Sequence, residues 1–247
     1  MPKIAEIAAY VNSIAPFETA EPWDNSGVLV DCGSDVTAIL VALDITEEVV
    51  VEAEMQGCQL IVAHHPVIFH PLTKVDRTNT SYRLVKKNIS AICAHTNLDA
   101  ANGGPSDVLA KLLELTEVQP FGGAGRIGLL RAPATVAELA ALCKITLRAP
   151  VCYCEATHEV HKLAVVGGAG ASLIKQAIAL GAHCLLTGEL SHHDALDAKQ
   201  AGLSTIAAGH FETEFPAMSV LASKLARRFT DTRVILSRRG KSPFTYI

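Results

Sequence analysis

The feature that most limits what this chain can become is an alternation of short, wholly apolar runs with segments whose apolar residues recur at helical spacing. Residues 39–65 read strand, turn, helix, strand: Ile39-Leu40-Val41-Ala42-Leu43, then Asp44, a helical stretch from Thr46 to Gln56, then Gly57 and the run Gln59-Leu60-Ile61-Val62-Ala63. Runs without polar alternation are the signature of strands buried on both faces. Strands that alternate with helices call for mostly parallel sheets and right-handed crossovers. Residues 163–193 repeat the order: Leu163-Ala164-Val165-Val166, the turn Gly167-Gly168-Ala169-Gly170, a helix through Ala179, then Gly181 and the strand Cys184-Leu185-Leu186. Each half adds another short strand (89–94 and 203–208) and a helix (108–115 and 217–229). The predicted fold is α/β, with two similar halves from a duplicated βαβ-based unit and mostly parallel mixed sheets flanked by helices. The expected spans are 1–120 for the first half, 121–160 for a connector with one helix (136–147) and two strands, and 161–247 for the second half, all packed as one unit.

Ligands gather at the carboxyl ends of the strands in such folds, and there the histidines lie. The run 59–63 ends in His64-His65. Cys93-Ala94-His95-Thr96-Asn97-Leu98-Asp99 and Gly209-His210-Phe211-Glu212-Thr213-Glu214 each place a carboxylate four residues after a histidine. If a helix opens near Phe211, His210 and Glu214 share one face. Glu212 points elsewhere, as a first-turn residue favoured by the helix dipole. Around His95 the residues Asn97 and Gly103-Gly104 suggest a loop. Asp99 is then either a ligand with His95 behind it, orienting a carboxylate or water, or a loop cap beside a structural histidine. Three imidazoles (His64, His65, His210) and two carboxylates (Asp99, Glu214), without cysteine, are too rich in nitrogen for calcium or magnesium and lack the thiolates of a closed structural zinc site. They suit zinc, iron, manganese, cobalt or nickel with open positions for water, as one ion or two.

Other candidates have competing readings. His192-His193-Asp194 either lines the same cleft as a proton shuttle or opens a solvent-facing helix. Gly167-Gly168-Ala169-Gly170 either cradles a phosphate or is a tight turn; it lacks the last glycine of the dinucleotide fingerprint and the lysine of a P-loop. Of seven cysteines, Cys58, Cys93, Cys143 and Cys184 sit in apolar stretches as small hydrophobes. Cys152-Tyr153-Cys154 is spaced too tightly for a C-x-x-C motif. An odd count without a secretory signal suits a reducing cytoplasm. At the N-terminus Ile4, Ile7, Ala8, Val11 and Ile14 with Glu6 form an amphipathic helix rather than an export signal. No apolar run reaches the ~18 residues of a membrane span. A net charge of −4 with mixed signs gives no nucleic-acid footprint, and the short cluster Arg238-Arg239 with Lys241 reads as a solvated tail.

Five motifs together resemble the NGG-one-interacting-factor-three-like family. They are Trp23-Asp24-Asn25-Ser26-Gly27; Ala63-His64-His65-Pro66-Val67-Ile68-Phe69; His95-Thr96-Asn97-Leu98-Asp99 with Gly103-Gly104; Thr187-Gly188-Glu189; and Gly209-His210 with Glu214. Bacterial members are often called GTP cyclohydrolase I type 2 homologs or dinuclear-metal hexameric proteins. The resemblance implies a duplicated α/β fold with the metal site in the cleft between the halves, a toroidal homohexamer, and two divalent ions per subunit held by His64, His65, Asp99, His210 and Glu214. His95 and His193 match positions near the site and are the catalytic candidates. The chain is similar to the short form, since 120–160 has no room for the inserted domain of longer relatives. Two departures stand out: Glu189 where Asp is usual, and Ser106 where Asn often precedes Asp107. The function implied is a metal-dependent hydrolase acting on a purine nucleotide or another phosphate-bearing small molecule. The alternatives are a non-catalytic hexameric metal-binding or regulatory protein and, from the family's historical name alone, a protein-interaction adaptor.

Overall fold

In the computed structural model, which describes residues 1–245, the chain forms two compact units. The first comprises Met1–Asn102 with Ala217–Lys241, and the second comprises Gly103–Pro216 with the tail from Ser242. The halves are therefore not contiguous in sequence.

The first unit opens with helix α1 (Ile4–Ile14), which buries Ile4, Ile7, Ala8 and Val11 at the predicted helical spacing. Its five-stranded sheet runs β1-β4-β3-β2-β11, with β1 at Gly27–Val30, β2 at Ala38–Ala42, β3 at Leu60–Ala63, β4 at Ser90–Cys93 and β11 at Arg233–Leu236. Strands β2, β3 and β4 are buried at every residue, which is why their sequences do not alternate. They are parallel, while β1 pairs antiparallel to β4 with Gly27 opposite Cys93. Helices α2 (Glu47–Met55), α3 (Thr80–Lys86) and α4 (Thr96–Ala100) complete the part of this unit that precedes residue 103. Thr46 caps α2 by accepting from the Val49 amide.

The second unit carries a six-stranded sheet, β5-β6-β8-β9-β10-β7. Its members are β5 (Thr116–Phe121), β6 (Gly125–Ala134), β7 (Cys152–Cys154), β8 (Val160–Ala169), β9 (Cys184–Glu189) and β10 (Ser204–Ala207). Residues 121–160, expected as a connector, are integral to it: β6 pairs with β8 and β7 closes the far edge beside β10. Helices α5 (Pro105–Leu112), α6 (Val136–Leu147), α7 (Ile174–Ala179) and α8 (His192–Gln200) belong to this unit, and α9 (His210–Arg228) spans the division, which falls at its Pro216. Leu163, Val165, Cys184, Leu186 and Ile206 pack with α5 and α6 on one face of the sheet. Ala164, Val166 and Leu185 pack with α7 and α8 on the other. Each fully buried Leu, Ile or Val contributes roughly 1.5–3 kcal/mol.

The duplication is visible in strand order. An antiparallel edge strand followed by three parallel strands, β1-β4-β3-β2, is matched by β7-β10-β9-β8. Among the described residues no helix is long and apolar enough to cross a membrane.

Candidate metal-binding clusters

In the first unit three imidazoles meet at the carboxyl ends of neighbouring parallel strands. β3 delivers His64 and His65, and β4 delivers His95 two residues past its end. The ring centroids are 4.9 Å apart for His64 and His65, 5.2 Å for His64 and His95, and 5.4 Å for His65 and His95. One ligand atom from each lies within 4.8 Å of the other two. Asp99 joins them, its Oδ1 3.5 Å from His64 Nε2. The segment expected as a loop is the one-turn helix α4 with His95 at its N-cap, so the spacing of His95 and Asp99 is helical after all.

Each ring is held by its other nitrogen. His64 Nδ1 donates to the Ala94 carbonyl at 2.8 Å. A carbonyl only accepts, so Nδ1 carries a proton, and it is Nε2 whose lone pair a metal would take. His65 Nδ1 bonds Asp44 Oδ1 at 2.7 Å, and His95 Nδ1 bonds Asp24 Oδ1 at 2.8 Å. Asp24 is enclosed by donors: the Thr96 hydroxyl at 2.6 Å, the Thr96 amide at 3.1 Å and the Asn25 amide at 2.7 Å. Burial alone would raise its pKa, but the bonds from Thr96 and His95 outweigh burial and bring it down to about 2. His95 shifts below the usual histidine value because burial, reinforced by His64 and His65, outweighs the attraction of Asp24. At neutral pH the pair is therefore a neutral imidazole on an ionised carboxylate.

In the second unit α9 begins at His210, and Glu214 stands one turn on, with Nε2 to Oε2 at 3.1 Å. His210 Nδ1 bonds Glu189 Oε1 at 3.1 Å. Glu189 ends β9, the parallel neighbour of the strand that leads to His210. The family departure at 189 thus keeps a carboxylate where the imidazole is anchored. The glycine turn serves the same cluster. Gly168 has φ +63°, and a Cβ there would fall 2.1 Å from Glu214 Oε1 and 3.0 Å from His210 Nε2. The amides of Gly167, Gly168 and Gly170 donate to the hydroxyls of Ser106, Thr213 and Thr187 at 3.2, 3.1 and 2.8 Å. With those donors engaged, the turn is a close-packing device rather than a phosphate cradle. Ser106, the second departure, supplies one of those hydroxyls.

The structure therefore gathers His64, His65, Asp99 and His95 in one unit and pairs His210 with Glu214 in the other. His193 lies one residue inside α8, exposed, with its ring 5.5 Å from that of His192; the bland reading of a solvent-facing helix start fits this placement. Sequence reasoning missed Asp24, Asp44 and Glu189 as anchors. Their signal was position: Asp24 and Asp44 stand just outside, and Glu189 at the end of, a strand that neighbours a histidine-bearing strand. Anchored imidazoles with carboxylates one turn away, and no thiolate among them, fit a first-row divalent ion.

The family model Duf34/NIF3 (NGG1p interacting factor 3) matches residues 2–243. The GTP cyclohydrolase 1 type 2 homolog of Clostridium perfringens is 34% identical over 99% of this chain and 100% of its own length. The Helicobacter pylori protein named GTP cyclohydrolase 1 type 2 is 33% identical over 87% of this chain and 88% of its own. A crystal structure of a Staphylococcus aureus hypothetical protein matches with a TM-score of 0.94 at 28% identity, covering 99% of each chain. Anchored histidines at matching strand ends and a family match over nearly every residue lead to one conclusion: the chain belongs to the Duf34/NIF3 family.

Proposed function

We propose that this chain is a divalent-metal-dependent hydrolase acting on a purine nucleotide, with His64, His65, Asp99, His210 and Glu214 as metal ligands and His95 as the proton-handling group. The observation that carries this reading is the Nδ1 anchoring of His64, His65, His95 and His210, which leaves four Nε2 atoms as candidate donors. That the five ligands serve one dinuclear centre rests on the family resemblance, as does assembly into a homohexamer. A bound divalent ion supplies a water acidic enough to be hydroxide near neutral pH, the nucleophile needed to open a purine ring.

The protein's own groups supply the rest. His95, neutral with its proton on Nδ1, accepts a second proton on Nε2, and ionised Asp24 stabilises the imidazolium that forms. Trp23 (59% exposed) and Phe69 (40% exposed) stand 6.1 and 6.4 Å from the His95 ring, and 6.0 Å from each other. Two large aromatic faces beside the imidazoles suit a planar base, each stack contributing about 1–3 kcal/mol. The names of the relatives point to GTP as the first substrate to try. His193 is a second candidate proton relay, tested by His193→Ala.

The test is metal content per chain with GTP turnover followed by loss of the purine absorbance, in wild type and in His64→Ala and Glu214→Ala. Turnover that survives both substitutions refutes the catalytic assignment. Metal near one ion per chain refutes the dinuclear one. Full metal occupancy with no nucleotide consumed favours a non-catalytic metal-binding protein.

A further inference from the structure

We propose that Trp23 selects the substrate by stacking its planar ring, that Asn25 sets the geometry of this contact, and that the ring is captured without the metal. The inference rests on the purine-nucleotide reading of the same site and adds to it the residue that discriminates.

The chain has a single tryptophan, and it is 59% exposed. Aromatic side chains carry the largest apolar areas, and a neighbouring pair of them held in water, here Trp23 and Phe69, marks a binding surface. A floppy loop does not account for the exposure. Residues 21–26 contain no helix or strand, yet hydrogen bonds fix them on both sides of the indole. The Asp24 amide donates to the Glu21 carbonyl at 2.9 Å, and the Glu21 amide donates to the Thr96 hydroxyl at 2.9 Å. Beyond the indole Asp24 holds His95 and Thr96, and the Ser26 hydroxyl accepts from the His95 amide at 3.2 Å.

Asn25 ties this segment to the other aromatic ring. Its Nδ2 donates to the Ile68 carbonyl at 2.6 Å, so the residue two after Trp23 is bonded to the residue just before Phe69. That bond holds the two ring centroids 6.0 Å apart. A ring presented on fixed backbone loses little freedom when a ligand settles on it.

The interplanar angles decide which ring stacks. Phe69 is tilted by 47° to the indole and His95 by 77°, so neither covers the indole face to face. A planar ring lying flat on Trp23 takes the same two angles, meeting Phe69 obliquely and His95 almost at right angles. The indole then supplies the stack and Phe69 a side contact. Because Asp24 follows Trp23 and holds His95, one short segment fixes both the ring platform and the proton acceptor. None of the bonds that fix the platform comes from His64, His65 or Asp99, so it is complete before an ion binds.

The experiment uses the metal-stripped full-length protein with guanosine 5′-monophosphate (GMP) and, as the ringless control, ribose 5-phosphate. Trp23 emission reports this position alone, and excitation at the red edge of the indole band avoids guanine absorbance. GMP should quench it saturably with a dissociation constant on the order of 1–10 mM, the affinity of one stack and one side contact, and ribose 5-phosphate should not. Phe69→Ala should weaken the quench about 2- to 12-fold, as loss of an oblique aromatic contact does. Asn25→Asp keeps the shape, loses the donor to Ile68, and should weaken the quench by a similar factor while metal uptake holds. Saturation-transfer NMR reads the variants that lack the indole: transfer to the guanine H8 should fall roughly 5- to 150-fold in affinity terms in Trp23→Ala and persist in Trp23→Phe. Circular dichroism should show every variant folded. A quench that appears only after a divalent ion is added, that ribose 5-phosphate reproduces, or that ignores Asn25→Asp overturns the inference. So does emission that follows protein concentration and ignores GMP, which would make the indole a contact between copies. GTP turnover with an unchanged KM in Trp23→Ala would overturn it and leave the hydrolase reading standing, whereas ring binding without turnover would do the reverse.

Discussion

Replacing Gly168 with alanine tests whether the glycine turn exists to admit the Glu214 carboxylate. Gly168 sits at φ +63°, where a side chain is strained by about 1–2 kcal/mol. The new methyl would also lie 2.1 Å from Glu214 Oε1, 3.1 Å from its Cδ and 3.0 Å from His210 Nε2. Glu214 is 4% exposed on the second turn of α9, so its carboxylate must be pushed aside rather than swung into open space. Overpacking of that kind costs about 1–3 kcal/mol, for roughly 2–5 kcal/mol in all. Gly181→Ala is the control, because Gly181 has φ +74° with nothing within 4 Å of a Cβ, and so should lose the strain alone. Urea denaturation of both variants, metal-free, should separate them by about 1–3 kcal/mol. Metal content should then fall in Gly168→Ala and hold in Gly181→Ala. Equal stability and equal metal content in the two variants would refute the idea that the turn is shaped around the carboxylate.

Four further outcomes follow from the same geometry. Asp24 has its folded pKa lowered to about 2 from an ordinary 3.8, so its contribution to stability is present above about pH 4 and lost as pH falls from 4 to 2. The gap in denaturation midpoint between wild type and Asp24→Asn should accordingly be constant near neutrality and close by pH 2. Asp44→Ala frees the Nδ1 of His65 and should reduce metal affinity about 10- to 100-fold with little change in fold, as isothermal titration would record. Thr135→Ala removes the capping box of α6, in which the Thr135 hydroxyl accepts from the Glu138 amide at 3.2 Å, and should lower stability by about 1 kcal/mol without touching metal content. In the native protein a thiol reagent should modify Cys152 first and leave Cys93 and Cys184 unreacted until denaturant is added, which peptide mass mapping would resolve.

Much of this was legible in the sequence. The buried parallel strands announced themselves as unbroken apolar runs, and α1 and α6 fell at their predicted spans. The α9 start at His210 put His210 and Glu214 on one face as their spacing required. Three things were not legible. The role of 121–160 was hidden because β5–β6 is a hairpin whose partner strand, β8, comes later in the chain, and β7 pairs with a strand some fifty residues on. The helix at 96–100 was obscured by Asn97, which looks like a loop residue; its side chain instead donates to the Ala15 carbonyl at 2.7 Å and accepts from the Ser26 hydroxyl at 2.8 Å. The anchoring carboxylates were invisible because each lies far in sequence from the imidazole it holds: 71 residues for Asp24 and His95, 21 for Asp44 and His65, and 21 for Glu189 and His210.

That last pattern has a single cause. A parallel sheet brings the carboxyl ends of adjacent strands to one edge, so a residue just past one strand is within reach of a residue just past its neighbour. β2 offers Asp44 to His65 of β3, β4 offers the Ala94 carbonyl to His64 of β3, and β9 offers Glu189 to His210 beyond β10. Asp24 obeys the same rule through an antiparallel neighbour, since the start of β1 lies beside the end of β4. In the second unit the strand that corresponds to β1 is β7, whose start lies beside the end of β10. No carboxylate is stationed there; the strand begins with Cys152. Duplication therefore fixed where anchors can stand, and the residue types at those places decided what each edge holds: an acid in one unit, which braces an imidazole, and a pair of thiols in the other.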